Sequence, residues 1–127
     1  QAQLAPPAGD RRRGPYYRWL FFGAGPVEAA VTNKALDVAV SDQQRRMVGY
    51  GSLDAVLNTL ECAVSNGEYL TGETFTAADV YLGAQIAWGM HFGTIEKRPA
   101  FERYAARITG RPAALRAREL DDALIPK

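Results

Sequence analysis

Apolar positions are densest over residues 80–88, where the chain has the sequence VYLGAQIAW. Apolar side chains surround this segment on nearly every side, which is typical of a buried helix. Just before it, Thr76 has the side chain of a helix N-cap, and Asp79 can accept the Thr76 N–H as in a capping box. Phe75 and Val80 stand where a hydrophobic staple closes. The pattern predicts a central helix that starts at this box and staple, both interpreted as structural.

The first apolar segment, Tyr16 to Ala24, also has aromatic and apolar side chains nearly all round. It predicts a helix from Pro15 to Val31, kinked at Pro26 and followed by a fraying end and a loop over residues 28–37. One face of such a helix is enough to reach the core of a small bundle. The other face then needs a partner, which we expect to be a subunit, a second domain or a ligand.

A second long helix is predicted from Ser41 or Asp42 to Val64. Gly49 and Gly51 fall inside it and indicate a close crossing or a bend. Because a short loop joins it to the first helix, the two are expected to lie side by side and antiparallel. Its apolar stripe repeats at helical spacing: Tyr50, Leu53, Leu57, Leu60 and Val64.

The rest of the chain is divided by helix start and stop signals. The central helix is expected to end near Trp88-Gly89, before a loop. Arg98-Pro99 opens another helix, and Thr109-Gly110-Arg111-Pro112 separates it from a last short one. No segment alternates with the period of a strand, so the sequence predicts an all-α bundle of about five to six helices over residues 15–127. Residues 1–14, which contain proline and glycine, are interpreted as an interdomain linker.

Composition and charge narrow the class of protein. A chain of 127 residues has the size of one domain with its own core. A net charge of +1 gives no electrostatic case for nucleic acid or an anionic membrane, and no apolar run indicates a membrane span or signal peptide. Cys62 is the single cysteine, which favours a reducing, cytoplasmic compartment, and it is expected to be buried and inert. Because the chain begins with Gln1, we expect a piece of something longer or a processed product.

Few residues suggest chemistry. His91 is the single histidine, which leaves no histidine-based metal site; it is interpreted as a loop histidine satisfied by the backbone, with a general base as the alternative. No phosphate loop, nucleophile elbow or metal-ligand cluster occurs, so we predict no catalytic residue, metal or cofactor in this chain. Aromatic side chains are the binding candidates, either as core or as walls of an apolar groove: Tyr16, Tyr17, Phe21, Phe22, Trp88 and Phe92.

One segment, Phe75-Thr76-Ala77-Ala78-Asp79-Val80-Tyr81-Leu82, resembles the buried capping box and staple in the C-terminal, all-α domain of cytosolic glutathione transferases, particularly bacterial ones. Leu4-Ala5-Pro6 is similar to that family's interdomain linker, and Tyr16 to Phe22 is similar to its first α-domain helix. The resemblance covers nearly the whole chain, from about Leu4 to Arg118. Three further segments fit the same pattern: Tyr69 to Gly72, Arg98 to Phe101, and Arg111 to Ala113.

The resemblance implies a division of tasks between two domains. In the family, an N-terminal thioredoxin-like domain binds glutathione and activates its thiol, whereas the α-domain supplies most of the hydrophobic substrate site and much of the dimer interface. By resemblance, Trp88 matches a tryptophan near the substrate pocket, and we add Tyr16, Tyr17 and Phe21 as candidate substrate contacts. Some bacterial classes hold glutathione with a His-Lys pair where this chain has Glu28-Ala29.

We therefore expect the complete protein to be a cytoplasmic homodimer that conjugates glutathione, its co-substrate, to a hydrophobic electrophile. This chain lacks the thioredoxin-like domain, so by itself it is expected neither to turn over a model electrophile nor to bind immobilised glutathione. A non-catalytic binding or dimerisation module of the same fold is the alternative. A thioredoxin-like βαβ pattern upstream of Gln1 would favour the enzyme.

Overall fold

Helices form nearly all the regular structure in the computed structural model, which describes residues 3–125. In this range the β pairing is limited to an isolated bridge between Tyr69 and Gly72, and the all-α prediction is confirmed. A π-helical segment, Gly23–Val27, joins the first two α-helices, and a 3-10 turn, Gln44–Arg46, lies in the loop that follows them. The α-helices of the described range are α1 Arg13–Phe22, α2 Glu28–Ala35, α3 Leu53–Ser65, α4 Ala77–Phe92, α5 Pro99–Thr109 and α6 Pro112–Asp122.

The centre of the fold is α4, which packs against α1 and α5. Two of its glycines allow close approach of neighbouring side chains. A Cβ atom at Gly83 would lie 2.9 Å from Ile108 of α5, and one at Gly89 would lie 2.5 Å from Ile95. These contacts explain why a helix that is apolar all round also needs residues without side chains. The core residues with no exposed surface include Leu60, Leu82, Ile86 and Phe101.

The start of α4 is held by Asp79, whose carboxylate has no exposed surface. Its Oδ2 atom accepts the Thr76 N–H at 2.8 Å and the Thr76 hydroxyl at 3.0 Å, in the arrangement of a capping box. Its Oδ1 atom accepts the Leu70 N–H and the Tyr104 hydroxyl, both at 2.8 Å. One carboxylate therefore links the start of α4 to the preceding turn and to α5. Burial and the Asp79 charge raise the pKa of the Tyr104 hydroxyl above its ordinary value.

Phe75, just before α4, packs against aromatic and cationic neighbours. Its ring meets the Tyr69 ring edge-on with centroids 5.5 Å apart. The Arg111 guanidinium lies 3.3 Å from the centre of the Phe75 ring, a cation–π contact. Val80 lies on the exposed side of the first turns of α4, with 46% of its surface accessible. The staple between Phe75 and Val80 stays a prediction.

The first helical segment is longer at both ends than the sequence predicted. It begins at Arg13, inside the stretch interpreted as a linker, and it continues through α2 to Ala35, where a fraying end and loop were predicted. Pro26 lies within the π-helical segment and does not end the helix. Proline lacks an N–H and crowds the carbonyl of the preceding turn, and a wider π turn accommodates a residue of this kind.

The predicted second helix is wrong over its first part, because α3 starts only after Ser52. Gly49 and Gly51 have left-handed φ angles of 71° and 75°, which an α-helix cannot contain. Ser52 then caps α3, and its Oγ atom accepts a first-turn N–H at 3.2 Å. The connection from α2 is therefore the long loop of residues 36–52, not the short loop that was predicted.

The helix α4 extends past its predicted end near Trp88-Gly89 and reaches Phe92. Gly93 has a left-handed φ angle of 76° and provides the C-cap. His91 consequently lies in the last turn of α4, so its interpretation as a loop residue is wrong. Histidine near a helix carboxyl end is favourably placed relative to the helix dipole when it is charged.

The cysteine prediction is also wrong, since Cys62 of α3 is exposed. The side of α3 that faces the core presents Leu60 and Val64, both buried. Cys62 lies off that stripe, and its Sγ atom accepts the Asn66 side-chain N–H at 3.3 Å. The sequence position beside the stripe was therefore not sufficient to bury the thiol.

The start of α5 follows the prediction made from Arg98-Pro99, and the break before α6 is likewise confirmed. Arg98 has a further role, because its guanidinium donates to Glu61 Oε2 and to Asn58 Oδ1, both at 2.8 Å. It also pairs with Glu96. One side chain thus connects the start of α5 to α3.

Candidate functional site

A groove of about 410 Å³ opens between α2 and the carboxyl-terminal half of α4. Apolar side chains predominate in its walls, and Glu28 is its one charged residue. Mostly apolar clefts with a few polar groups are the usual form of small-molecule sites. The lining residues are Val27, Glu28, Val31, Thr32, Ala35, Gln85, Trp88, Gly89, Phe92 and Thr94. We refer to this feature as the α2–α4 groove.

One wall of the α2–α4 groove is aromatic. Trp88 and Phe92 are one helical turn apart on α4, so their side chains share a face. The two rings stack with centroids 5.3 Å apart and planes inclined by 15°. Their exposed fractions are 61% and 68%, and the His91 ring packs edge-on against Phe92 at 4.9 Å. A flat aromatic surface therefore stands on a rigid helix and remains accessible.

The opposite wall is aliphatic. Val27, Val31 and Ala35 recur at one-turn spacing and line the same side of the helical segment that includes α2. Glu28 lies beside them, and the Tyr81 hydroxyl donates to its Oε2 atom at 3.5 Å. The carboxylate is therefore held near the groove from the α4 side. A planar apolar molecule between the two walls would meet this negative charge at one side.

Gln85 is the main polar side chain of α4 in the groove. Its Nε2 atom donates to the carbonyl of Gly23 at 3.3 Å, which fixes the orientation of the amide. Its Oε1 atom is buried and has no hydrogen-bond partner among the described residues. A buried acceptor without a donor costs about 1–3 kcal/mol.

Only one of the predicted substrate contacts lines the groove, namely Trp88. Tyr16 is buried in the core, where its ring lies 5.3 Å from that of Tyr17. Tyr17 and Phe21 are exposed on a different surface of α1, with ring centroids 6.5 Å apart. Arg13 donates to the Tyr17 hydroxyl at 2.7 Å. We refer to Tyr17 and Phe21 as the α1 aromatic surface.

Several groove residues were missed by sequence reasoning. Val27 and Val31 were overlooked as groove residues because the segment after Pro26 was interpreted as the fraying end of a helix. Their one-turn spacing was the signal that could have identified them. No sequence signal identified Gln85, since its role depends on the Gly23 carbonyl of a distant turn.

The groove presents mainly apolar side chains to a ligand. Within residues 3–125, no group of three or more His, Cys, Asp or Glu side chains could hold a metal ion. His91 contacts the rings of Trp88 and Phe92. None of the helices described is both long and apolar enough to cross a membrane. The groove can take up an apolar molecule, with the Glu28 carboxylate as a polar contact at one side.

In a comparison with protein families, residues 24–112 match the glutathione S-transferase C-terminal domain. Comparison with the curated proteins found no match. Among solved structures, the chain is similar to a glutathione S-transferase from Actinobacillus pleuropneumoniae, with a TM-score of 0.72 and 24% identity. It is also similar to a glutathione transferase from Methylococcus capsulatus, with a TM-score of 0.72 and 23% identity.

A third similar structure is the glutathione transferase URE2P6 from Phanerochaete chrysosporium in complex with oxidized glutathione, with a TM-score of 0.69 and 20% identity. The three alignments cover 95%, 95% and 98% of this chain. They span only 56%, 60% and 60% of the other chains. At these identities the likeness to the solved structures establishes the shared fold.

Proposed function

Because this chain belongs to the glutathione S-transferase C-terminal domain family, we propose that it is the helical domain of a transferase that conjugates glutathione to a hydrophobic electrophile. In this proposal the α2–α4 groove holds the electrophile. Glutathione is the co-substrate of the complete protein, as the family and the glutathione-bound similar structure suggest. The solved structures are longer than this chain, and a thioredoxin-like domain would supply the glutathione site.

The observation that carries the proposal is the accessible Trp88–Phe92 stack facing the aliphatic side of α2. Such a pair of walls suits a flat, apolar ring system. In the conjugation, the glutathione sulfur forms a bond to an electrophilic carbon and the leaving group departs with its electron pair. The reactive species is the thiolate, so a group that lowers the thiol pKa is required. We assign that group to the thioredoxin-like domain and propose no catalytic residue in this chain.

Trp88 is the substrate contact that the groove supports best, and Phe92 joins it. Tyr16, Tyr17 and Phe21 stay predictions as substrate contacts, because the groove does not include them. For the α1 aromatic surface we propose a role in homodimer formation. A cytoplasmic location belongs to the same proposal, since the unpaired Cys62 suits a reducing compartment.

The binding step can be tested with 1,3-dinitrobenzene, an unreactive flat aromatic probe. Its binding is detected by changes in the NMR chemical shifts of the 127-residue chain. We expect saturable shifts at Trp88, Phe92 and Val31. Losing one aromatic contact costs about 1 kcal/mol, so Trp88→Ala should weaken binding about fivefold. Val80→Ala is the matched control, because Val80 is exposed on the same helix and does not line the groove.

The proposal fails if the probe shifts no groove residue, or if Trp88→Ala and Val80→Ala bind it equally well. The isolated chain is further expected to show no conjugation of a chlorodinitrobenzene and no retention on glutathione resin. Robust turnover by this chain would contradict the assignment of thiol activation to another domain.

The second candidate is a non-catalytic binding or dimerisation module with the same fold. The exposed α1 aromatic surface favours it, because association requires such a surface while catalysis does not. The coding sequence upstream of Gln1 separates the candidates. A thioredoxin-like pattern with a thiol-activating residue supports the transferase, and an unrelated domain supports the module.

A further inference from the structure

A second cavity, of about 170 Å³, lies beside the opposite face of α2. Its α2 residues are Ala30, Asn33 and Lys34, none of which lines the α2–α4 groove. The other walls come from the loop of residues 36–52 and from the start of α3. Because a single water needs about 10–15 Å³ of such space, this cavity has room for a small organic molecule. We refer to it as the loop cavity.

The loop cavity has a hydrogen-bond donor in the hydroxyl of Tyr50, one of its lining residues. The Tyr50 hydroxyl accepts the Asn33 side-chain N–H at 2.8 Å. A hydroxyl that accepts one bond still has its own proton to donate, and no described residue takes the Tyr50 proton. Asn33 and Tyr50 are half-buried, so this donor is held in place.

Two cations also line the loop cavity. Lys34 lies in the last turn of α2 and forms no ion pair with any residue of the described range. Arg45 of the 3-10 turn lies 3.3 Å from the Asp42 carboxylate, which offsets part of its charge. The lining residues include no acidic side chain. The cavity walls therefore carry a net positive charge, and Lys34 is its unpaired source.

Gly51 and Ser52 also line the cavity. The other four lining residues have hydrocarbon side chains: Ala30, Val38, Val40 and Leu53. Val38 and Val40 come from the loop of residues 36–52, and Val38 is exposed. A cavity with cationic donors beside aliphatic walls matches a ligand that has one anionic end and a short apolar tail. Inorganic phosphate lacks the tail.

We propose that the loop cavity binds a small aliphatic carboxylic acid as its anion. The carboxylate accepts from the Lys34 ammonium and the Tyr50 hydroxyl, with Arg45 nearby. The alkyl chain packs against Val38, Val40 and Leu53. Hydrogen bonds to charged partners are stronger than neutral ones, which gives the carboxylate an advantage over an amide of the same shape. This site uses none of the residues of the proposed electrophile groove.

The experiment uses butyrate as the probe and follows amide shifts of the 127-residue chain by NMR. We expect saturable shifts at residues 33, 34, 38, 50 and 53, and weaker affinity as ionic strength rises. Lys34→Gln and Tyr50→Phe should each weaken butyrate binding about tenfold, as expected for loss of one charge-assisted hydrogen bond. Arg46→Gln is the matched control, because Arg46 lies in the same 3-10 turn and does not line the cavity.

Two control ligands test whether the cavity requires both the negative charge and the alkyl chain. Butyramide has the same shape without the charge, and phosphate has the charge without the tail, so both should bind at least about fivefold more weakly than butyrate. Equal binding of butyramide, equal binding of phosphate, or unchanged butyrate affinity in Lys34→Gln overturns the proposal. Lys34 is exposed, so this variant keeps the test decisive even if Tyr50→Phe fails to fold.

Discussion

Asp79 concentrates four hydrogen bonds on one buried carboxylate, from the Thr76 and Leu70 N–H groups and the Thr76 and Tyr104 hydroxyls. Alanine at this position would leave those donors without an acceptor, at a cost of about 1–3 kcal/mol for each one that stays buried. We expect Asp79→Ala to lower the free energy of unfolding by at least about 2 kcal/mol, measured by urea denaturation.

A suitable control is Asp54→Ala, which removes an exposed acidic residue from the first turn of α3. Its loss should cost less than about 1 kcal/mol, since it interacts with the helix dipole in solvent. An Asp79→Ala chain as stable as the wild type would show that the carboxylate does not anchor α4.

The raised pKa of Tyr104 should make the stability of the folded chain depend on pH. Burial and the neighbouring Asp79 charge raise its folded-state pKa above the ordinary value of 10.0. Above that pH the unfolded chain loses the phenol proton while the folded chain keeps it, so this contribution to stability is present below about pH 10 and is lost as pH rises.

We expect the wild type to lose more stability than Tyr104→Phe between neutral pH and pH 11, in denaturation curves recorded at each pH. Tyr17→Phe, at an exposed tyrosine, should follow the wild type. Parallel curves for wild type and Tyr104→Phe would mean that Tyr104 ionises as readily in the folded chain as in the unfolded chain.

At the scale of elements, we expect alanine substitutions at Gly89 and Gly25 to have different effects on stability. A Cβ at Gly89 of α4 would lie 2.5 Å from Ile95, whereas one at Gly25 in the π-helical segment meets no atom within 4 Å. Forcing a methyl group into packed surroundings costs about 1–3 kcal/mol, so Gly89→Ala should destabilise by that amount. Gly25→Ala should be neutral or stabilising by up to about 1 kcal/mol. The free energies of unfolding of both variants can be measured by thermal and urea denaturation. Equal stability of the two variants would contradict this prediction.

Local sequence signals were sufficient to predict some helix boundaries and not others. The starts of α4 and α5 were predicted because a capping pair and an Arg-Pro step act within one turn of the chain. The start of α3 was misplaced, since Gly49 and Gly51 flank Tyr50 of the predicted apolar stripe and so fit a bent helix as well as a loop. Their left-handed backbone angles settled the difference. Pro26 was predicted to kink the first helix, and in the structure it lies in a π-helical segment through which the helix continues.

At the scale of the molecule, the α1 aromatic surface should drive association. Phe21 is 73% exposed and Tyr17 lies beside it. We expect the chain to form dimers in solution, and Phe21→Glu should weaken them at least about tenfold, since a buried phenylalanine contributes about 1.5–3 kcal/mol. Light scattering over a concentration series measures this. Val80→Glu is the control on another exposed surface, and a monomeric wild type at high concentration would contradict the prediction.

The candidate site was predictable only in part. Trp88 was identified by resemblance, and Phe92 was noticed as an aromatic candidate. Tyr17 and Phe21 were grouped with them because sequence shows aromatic content without showing which surfaces face each other. The groove exists because the first helical segment continues beyond Pro26 as α2, which lies near the far end of α4. That proximity joins residues about sixty positions apart, which no local pattern reports.

The sequence by itself determined the helical class, the capped start of α4 and the family pattern around Asp79, because capping and apolar periodicity are local properties of a chain. The tertiary structure decided the rest. It exposed Cys62, placed His91 in a helix, and divided the aromatic residues between core, groove and α1 surface. The physical reason is that exposure and site geometry depend on which distant segments pack together, and burial free energy is shared over the whole core.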